Sequence, residues 1–207
     1  PLRRQRQMCI RDSRLDQELN THQVIRYNDF INKSFNTTTN PGQLKIYQKE
    51  NNTTPNIQNA TLGINPGATY GSAKRWYPDE FANVAIALSK QYDIKIFGGP
   101  GEIDIADDIE RSLKDAGVTN YQNLAGKTSL EELIEHISTL DIFITNDSGP
   151  MHVAAAYKVP TVSIFGPTKH TETSQWMNEK SSIVRHDMEC SPCMRRECPL
   201  GHHECMK

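Results

Sequence analysis

Asp141-Ile-Phe-Ile-Thr-Asn-Asp-Ser-Gly-Pro-Met-His-Val-Ala-Ala-Ala156 holds one complete strand–turn–helix unit, and the rest of the chain is read outward from it. Residues 142–145 form an apolar, β-branched run suited to a buried strand. Pro150 suits the first turn of a helix, because its missing N–H would be unpaired there anyway. Ser148 or Asp147 stands where a side chain caps such a helix. Gly149 lets the backbone turn tightly and lets a ligand come close. A helix N-terminus fed by a glycine turn after a parallel strand favours bound phosphate. His152 falls on the first turn, near whatever binds.

The same alternation extends through 61–207, which is read as one domain. Residues 61–65 form a strand ending in Pro66-Gly67-Ala68, and a helix follows Pro78 with Phe81, Val84, Ala85 and Leu88 on one face. Residues 93–98 form the next strand, with the turn Gly98-Gly-Pro-Gly101 after it, and Ile105, Ile109 and Leu113 mark a helix over 102–116. A weaker strand is expected over 118–124. Leu130, Leu133, Ile134 and Ile137 mark a helix that opens with Ser129 and Glu132 spaced as a capping box. Residues 161–165 form a strand before Gly166-Pro-Thr168, and 182–185 add an edge strand. Alternating strands and helices joined by short glycine turns give an α/β fold, a Rossmann-like doubly wound parallel sheet. Ligands bind such sheets outside the carboxyl ends of the strands, where the glycine and proline clusters all fall.

Upstream the pattern weakens. Leu15, Leu19, Val24, Tyr27, Phe30 and Ile31 fit one helical face, residues 36–42 a loop, 44–47 a short strand, and 49–56 a polar linker. Residues 14–60 are therefore read as a linker and the remnant of a preceding domain. Residues 1–13 carry four arginines in eleven positions, an isolated Cys9 and no apolar period. They resemble a translated sequencing-adapter tail and are read as non-native, so the natural chain is expected to be longer at its N-terminus.

With 23 basic and 25 acidic residues intermixed and a net charge of −2, the chain has no global field that recruits nucleic acid. No apolar run approaches the ~18 residues of a membrane span, and no secretory signal core occurs. A cytoplasmic protein is expected.

The individual motifs divide. Gly126-Lys-Thr128 is not a P-loop, because Tyr121 stands where that motif needs glycine; Lys127 is expected to be solvated. Lys74, in the turn after the 61–65 strand, is placed to meet a phosphate as a point charge, whereas Arg75 is read as solvated and Trp76 as a lid on the core. Glu102, at a strand end behind flanking glycines, is placed to accept ribose hydroxyls. His152 is read as a ligand contact, not a general base, for want of a visible partner. Cys190, Cys193, Cys198 and Cys205 begin with a C-x2-C pair compatible with zinc. The later spacings of four and six do not form a second knuckle, so free thiols, a metal and a redox pair all stay open, and no metal is assigned.

Taken together, Asn65-Pro-Gly-Ala-Thr-Tyr-Gly-Ser-Ala-Lys-Arg-Trp76, Phe97-Gly-Gly-Pro-Gly-Glu102, Leu124-Ala-Gly-Lys-Thr-Ser-Leu130, Asn146-Asp-Ser-Gly-Pro-Met-His152 and Phe165-Gly-Pro-Thr168 resemble the ADP-heptose:lipopolysaccharide heptosyltransferases of glycosyltransferase family 9. The cysteine-rich tail, 190–205, narrows the likeness to the heptosyltransferase II branch. The resemblance implies the C-terminal, donor-binding domain of a GT-B glycosyltransferase from a Gram-negative bacterium. It implies inverting transfer of L-glycero-D-manno-heptose from ADP-heptose to the lipopolysaccharide inner core. Lys74, Asp147, Ser148, Gly149, Met151 and His152 would hold the diphosphate and sugar, and Glu102 the ribose. No cofactor is implied, and the lack of an Asp-x-Asp motif agrees with metal-free stabilisation of the leaving group. The catalytic base is expected in an N-terminal domain that residues 1–60 do not match. That domain would meet the acceptor at the inner face of the cytoplasmic membrane. Two other readings stay open: a GT-B enzyme for another nucleotide sugar, and a non-catalytic nucleotide- or zinc-binding module.

Overall fold

The computed structural model describes residues 21–47 and 59–207. The chain divides into two compact units, Pro1–Gly42 with Thr171–Thr173, and Gln43–His170 with Ser174–Lys207. The first unit contains helix α1, Gln23–Phe35, opened by the His22 ring accepting from Val24 N–H and closed by Asn36 in the left-handed region. Asn32 anchors the chain after it by accepting from Thr37 Oγ1 and from Thr39 N–H, both at 2.9 Å. No residue of α1 is buried. Residues 1–20, including the basic tail and the first part of the expected helical face, lie outside the described residues, as does most of the 49–56 linker. The expected strand over 44–47 does not form, and Tyr47 is 91% exposed. A lone short apolar run with no neighbouring strand to take its backbone hydrogen bonds has nothing to hold it extended.

The second unit is a six-stranded sheet in the order β3-β2-β1-β4-β5-β6, parallel throughout. Its strands are β1 Ala60–Asn65, β2 Tyr92–Ile96, β3 Tyr121–Asn123, β4 Ile142–Asn146, β5 Thr161–Phe165 and β6 Ser181–Arg185. The connecting helices are α2 Pro78–Leu88, α3 Ile103–Asp115, α4 Leu130–Ser138 and α5 Gly149–Ala156. The short α6, His170–Thr173, lies between β5 and β6. β6 confirms the edge strand, and β3 is shorter than the sequence pattern suggests.

Apolar packing covers both faces of the sheet. Leu62 and Ile64 of β1 join Ile94, Ile96, Phe81, Ile109 and Leu113 in one cluster, all fully or almost fully buried. Phe97, Ile137, Phe143, Ala154 and Val159 form the other. Each large side chain buried in this way contributes about 1.5–3 kcal/mol. Between Leu62 and Ile64, Gly63 points to the second cluster, where a Cβ would stand 2.4 Å from Leu140 Cδ1 and 2.9 Å from Phe143 Cδ2. Only glycine permits that approach.

The chain winds outward from β1 to β3, then returns to lie on the other side of β1 as β4 and continues to β6. The reversal falls between β1 and β4, and it opens a crevice at their carboxyl ends.

Candidate functional site

At that crevice β1 and β4 end side by side, with Asn65 in register with Thr145. Two buried asparagines tie the ends together. Asn65 Nδ2 donates to Ser148 Oγ at 3.0 Å and to Thr145 Oγ1 at 3.2 Å. Asn146 Nδ2 donates to Pro66 O at 2.7 Å, and its Oδ1 accepts from Trp76 N–H at 3.0 Å. A carboxamide offers donors and an acceptor in one uncharged side chain, so it can satisfy loop backbone from inside the fold without burying charge.

Lys74 ends a tight turn, Ser72–Lys74, in the loop after β1. Its Nζ lies 2.6 Å from Asp147 Oδ2 and 4.7 Å from the Tyr70 ring centroid. The same Asp147 oxygen accepts from Thr168 Oγ1 at 2.6 Å. Loops after β1, β4 and β5 thus meet on one carboxylate that is only 4% exposed. The lysine is held at the strand ends by its ion pair, not left as a free point charge.

Helix α5 begins two residues after Asp147, at Gly149. Ser148 occupies the cap position with extended backbone but makes no side-chain cap bond, since its hydroxyl serves Asn65. Asp147, the other expected cap, is engaged by Lys74 and Thr168. Gly149 is exposed, with nothing within 4 Å of where a Cβ would stand. Ser148 therefore leaves the start of α5 without a side-chain cap; Pro150 has no N–H and Met151 N–H donates to Ser148 O at 3.2 Å, so the turn offers the crevice the Gly149 N–H and the positive end of the helix dipole. His152 is half-buried on the first turn. Met151 is fully buried, so it anchors the turn to the core and brings no side chain to the crevice.

Glu102 reaches the same edge from the loop after β2. Its Oε2 accepts from Gly99 N–H at 2.8 Å. A Cβ on Gly67 would stand 2.1 Å from the Glu102 carboxyl carbon. The loops after β1 and β2 touch only because residue 67 is glycine. The structure thus gathers Lys74, Glu102, Asp147, Ser148, Gly149 and His152 at one sheet edge. Asn65, Asn146 and Thr168 belong with them and were not singled out as site residues by sequence reasoning; the signal was a polar residue closing an otherwise buried strand or the turn beyond it.

Arg75 departs from its expected solvated role, since its guanidinium clasps Ala68 O through Nε at 3.3 Å and Nη2 at 3.2 Å. Trp76 packs edge-on against Phe81 with ring centroids 5.1 Å apart, as a lid does. Lys127 is exposed and donates to Asn123 O, a structural bond.

The cysteine-rich tail lies against these loops. Tyr70 Oη donates to Met194 O at 2.9 Å and Ala73 N–H to Arg196 O at 3.0 Å. Met194 N–H donates to Pro167 O at 2.8 Å. Burial pushes the Cys205 thiol up, and the neighbouring Cys193, Cys190 and Cys198 push it further. Cys198 is lowered by backbone N–H groups, foremost that of His203.

Residues 2–204 match the family model described as glycosyltransferase family 9 (heptosyltransferase). The chain is 46% identical over 190 residues to lipooligosaccharide heptosyltransferase 2 of Campylobacter jejuni, covering 90% of this chain and 59% of that protein. It thus spans less than two thirds of that relative's length. It is similar to the solved structure of E. coli ADP-heptose lipopolysaccharide heptosyltransferase II, with a TM-score of 0.59 and 27% identity over 77% of this chain and 43% of that one. The crystal structure of a family 9 glycosyl transferase from Veillonella parvula shares the fold at a TM-score of 0.68 and 24% identity, covering 83% of this chain and 50% of its own. The crevice lies within the matched span, and the chain belongs to glycosyltransferase family 9, the heptosyltransferases.

Proposed function

We propose that this chain carries the donor-binding part of a heptosyltransferase of the second type, which takes ADP-heptose and delivers heptose to the lipopolysaccharide inner core. The observation that carries the reading is the uncapped N-terminus of α5 with the Lys74 ammonium fixed beside it. The positive end of the α5 dipole, the Gly149 N–H and an ammonium together suit a diphosphate, because all favour negative charge where it grows as the sugar–phosphate bond breaks. Asp147 orients Lys74, and Thr168 orients Asp147. Glu102 takes the ribose at the neighbouring strand end, and His152 reaches the phosphate or sugar. Inversion at the anomeric carbon needs a base on the opposite face. No described residue is assigned that role, so this chain alone is expected to bind donor without turning it over.

Competition binding among ADP-, UDP- and GDP-sugars tests the reading. ADP-heptose is expected to bind at least about tenfold more tightly than the others, a difference of about 1.4 kcal/mol. Equal affinity for all three would point to another nucleotide sugar, and heptose transfer by the isolated chain would overturn the assignment of a separate base.

A further inference from the structure

We propose that Cys190, Cys193, Cys198 and Cys205 are the ligands of a four-thiolate site for a thiophilic divalent cation, zinc or ferrous iron, which clamps the Lys74 loop against the sheet. Spacing alone assigns no metal to these cysteines. The fold changes that weighting, because all four line one small cavity of about 20 Å³, walled also by Ala73, Pro167 and His202. That volume has room for a single water-sized particle. All four cysteines are free of disulfides.

The backbone around Cys198 holds its sulfur in place. Gly201 N–H donates to Cys198 O at 3.2 Å, closing a turn that needs Gly201 at φ +72°. His203 N–H then donates to Cys198 Sγ at 3.4 Å. Four thiolates around one cavity repel each other unless a cation sits among them, and soft sulfur ligands select zinc or ferrous iron over magnesium or calcium. Among the described residues no three Cys, His, Asp or Glu side chains already stand in ligand geometry. An entering cation must therefore draw the sulfurs in. Cys190, Cys193 and Cys198 lie outside helices and strands, which allows that adjustment.

The clamp follows from what the tail touches. His203 bridges Ala73 O at 3.0 Å and Tyr77 Oη at 3.3 Å, while Ser191 Oγ donates to Gly166 O at 2.6 Å. A Cβ on Gly71 would stand 2.2 Å from Arg196 O. The Arg196 guanidinium carbon lies 5.4 Å from the Tyr70 ring that also meets Lys74. Fixing the four sulfurs therefore fixes the loops after β1 and β5 from behind.

The test uses the whole chain, untagged and purified under reducing conditions. Elemental analysis is expected to find about one equivalent of zinc or iron per chain, and which of the two it finds names the metal. Cobalt(II) loaded into the stripped chain is expected to give thiolate-to-metal charge-transfer bands. Amide hydrogen exchange over residues 71–77 is expected to slow when metal is present. Cys193→Ser and Cys198→Ser are expected to lose both the metal and the exchange protection. Less than about a tenth of an equivalent after reconstitution, or serine variants that keep the full equivalent, would overturn the site. Should the variants fail to fold, a cobalt spectrum of the unmutated chain without charge-transfer bands overturns it as well. None of these readouts uses a nucleotide, so their failure leaves the donor reading standing, and its failure leaves them untouched.

Discussion

Two helices of the sheet unit start in opposite ways. At α4, Ser129 Oγ accepts from Glu132 N–H at 3.2 Å and Glu132 Oε2 accepts from Ser129 N–H at 2.7 Å, a complete reciprocal cap. At α5 the cap-position serine turns its hydroxyl to Asn65, the neighbouring aspartate turns to Lys74, and no side chain closes the helix. A capped helix end contributes stability, typically about 1 kcal/mol. An uncapped one at a strand-end crevice leaves the positive end of its dipole open to something else. The difference separates a finished structural element from a binding one, although both begin with serine.

The largest effect that can break this contrast lies at Lys74. Lys74→Ala leaves the buried Asp147 carboxylate without its ion-pair partner, with Thr168 still donating to it, and stripping one member from a buried pair costs on the order of 3 kcal/mol. ADP-heptose affinity is expected to fall at least about tenfold in the same variant. Urea unfolding and calorimetric titration measure the two together, and unchanged affinity would remove Lys74 from the site.

A paired comparison of the two serines is smaller and sharper. Ser129→Ala is expected to lose about 1 kcal/mol of stability and to leave nucleotide affinity unchanged. Ser148→Ala removes the hydrogen bonds its hydroxyl makes with Asn65 Nδ2 and Thr145 Oγ1, each worth about 0.5–1.5 kcal/mol, and is expected to lower affinity where Ser129→Ala does not. If both variants shift affinity equally, the two helix ends do not differ in the way the geometry says.

The smallest effect comes from pH and belongs to the finished side. Burial holds His136 of α4 below its ordinary value of 6.5, with the Lys95 charge adding to it. Burial also lowers His170, with Arg185 contributing. For a histidine depressed in the fold, the unfolded chain binds more protons, so the contribution is full above about 6.5 and is lost as pH falls below it. Unfolding midpoints are expected to drop between about pH 7.5 and pH 5.5, and His136→Gln is expected to flatten part of that slope. A midpoint that rises with acid contradicts it.

Sheet and helices were legible because buried parallel strands are short apolar runs and the helices between them carry an apolar face. The turn from β4 into α5 was legible for the same local reason: Asp147-Ser148-Gly149-Pro150 has few conformations to choose from. The 44–47 segment failed because a strand is a property of two segments, and its apolar residues could not announce the lack of a partner. The Lys74–Asp147 pair was invisible for a related reason, since it joins residues far apart along the chain whose meeting depends on sheet order. Arg75 looked solvated because its acceptor is a backbone carbonyl, which no side-chain pattern reports. The gathering of Cys190, Cys193, Cys198 and Cys205 about one cavity likewise depends on how the tail folds back over the turn at Ala73.

Met206 is 1% exposed and lies in the core cluster, and a Cβ on Gly166 would stand 2.2 Å from its sulfur. During synthesis, all six strands leave the ribosome before this methionine does. The loop after β5 therefore has no floor until the stretch carrying Met206 emerges. A nascent chain stalled before Met206 would hold a sheet of the right order with one wall of its crevice unsupported.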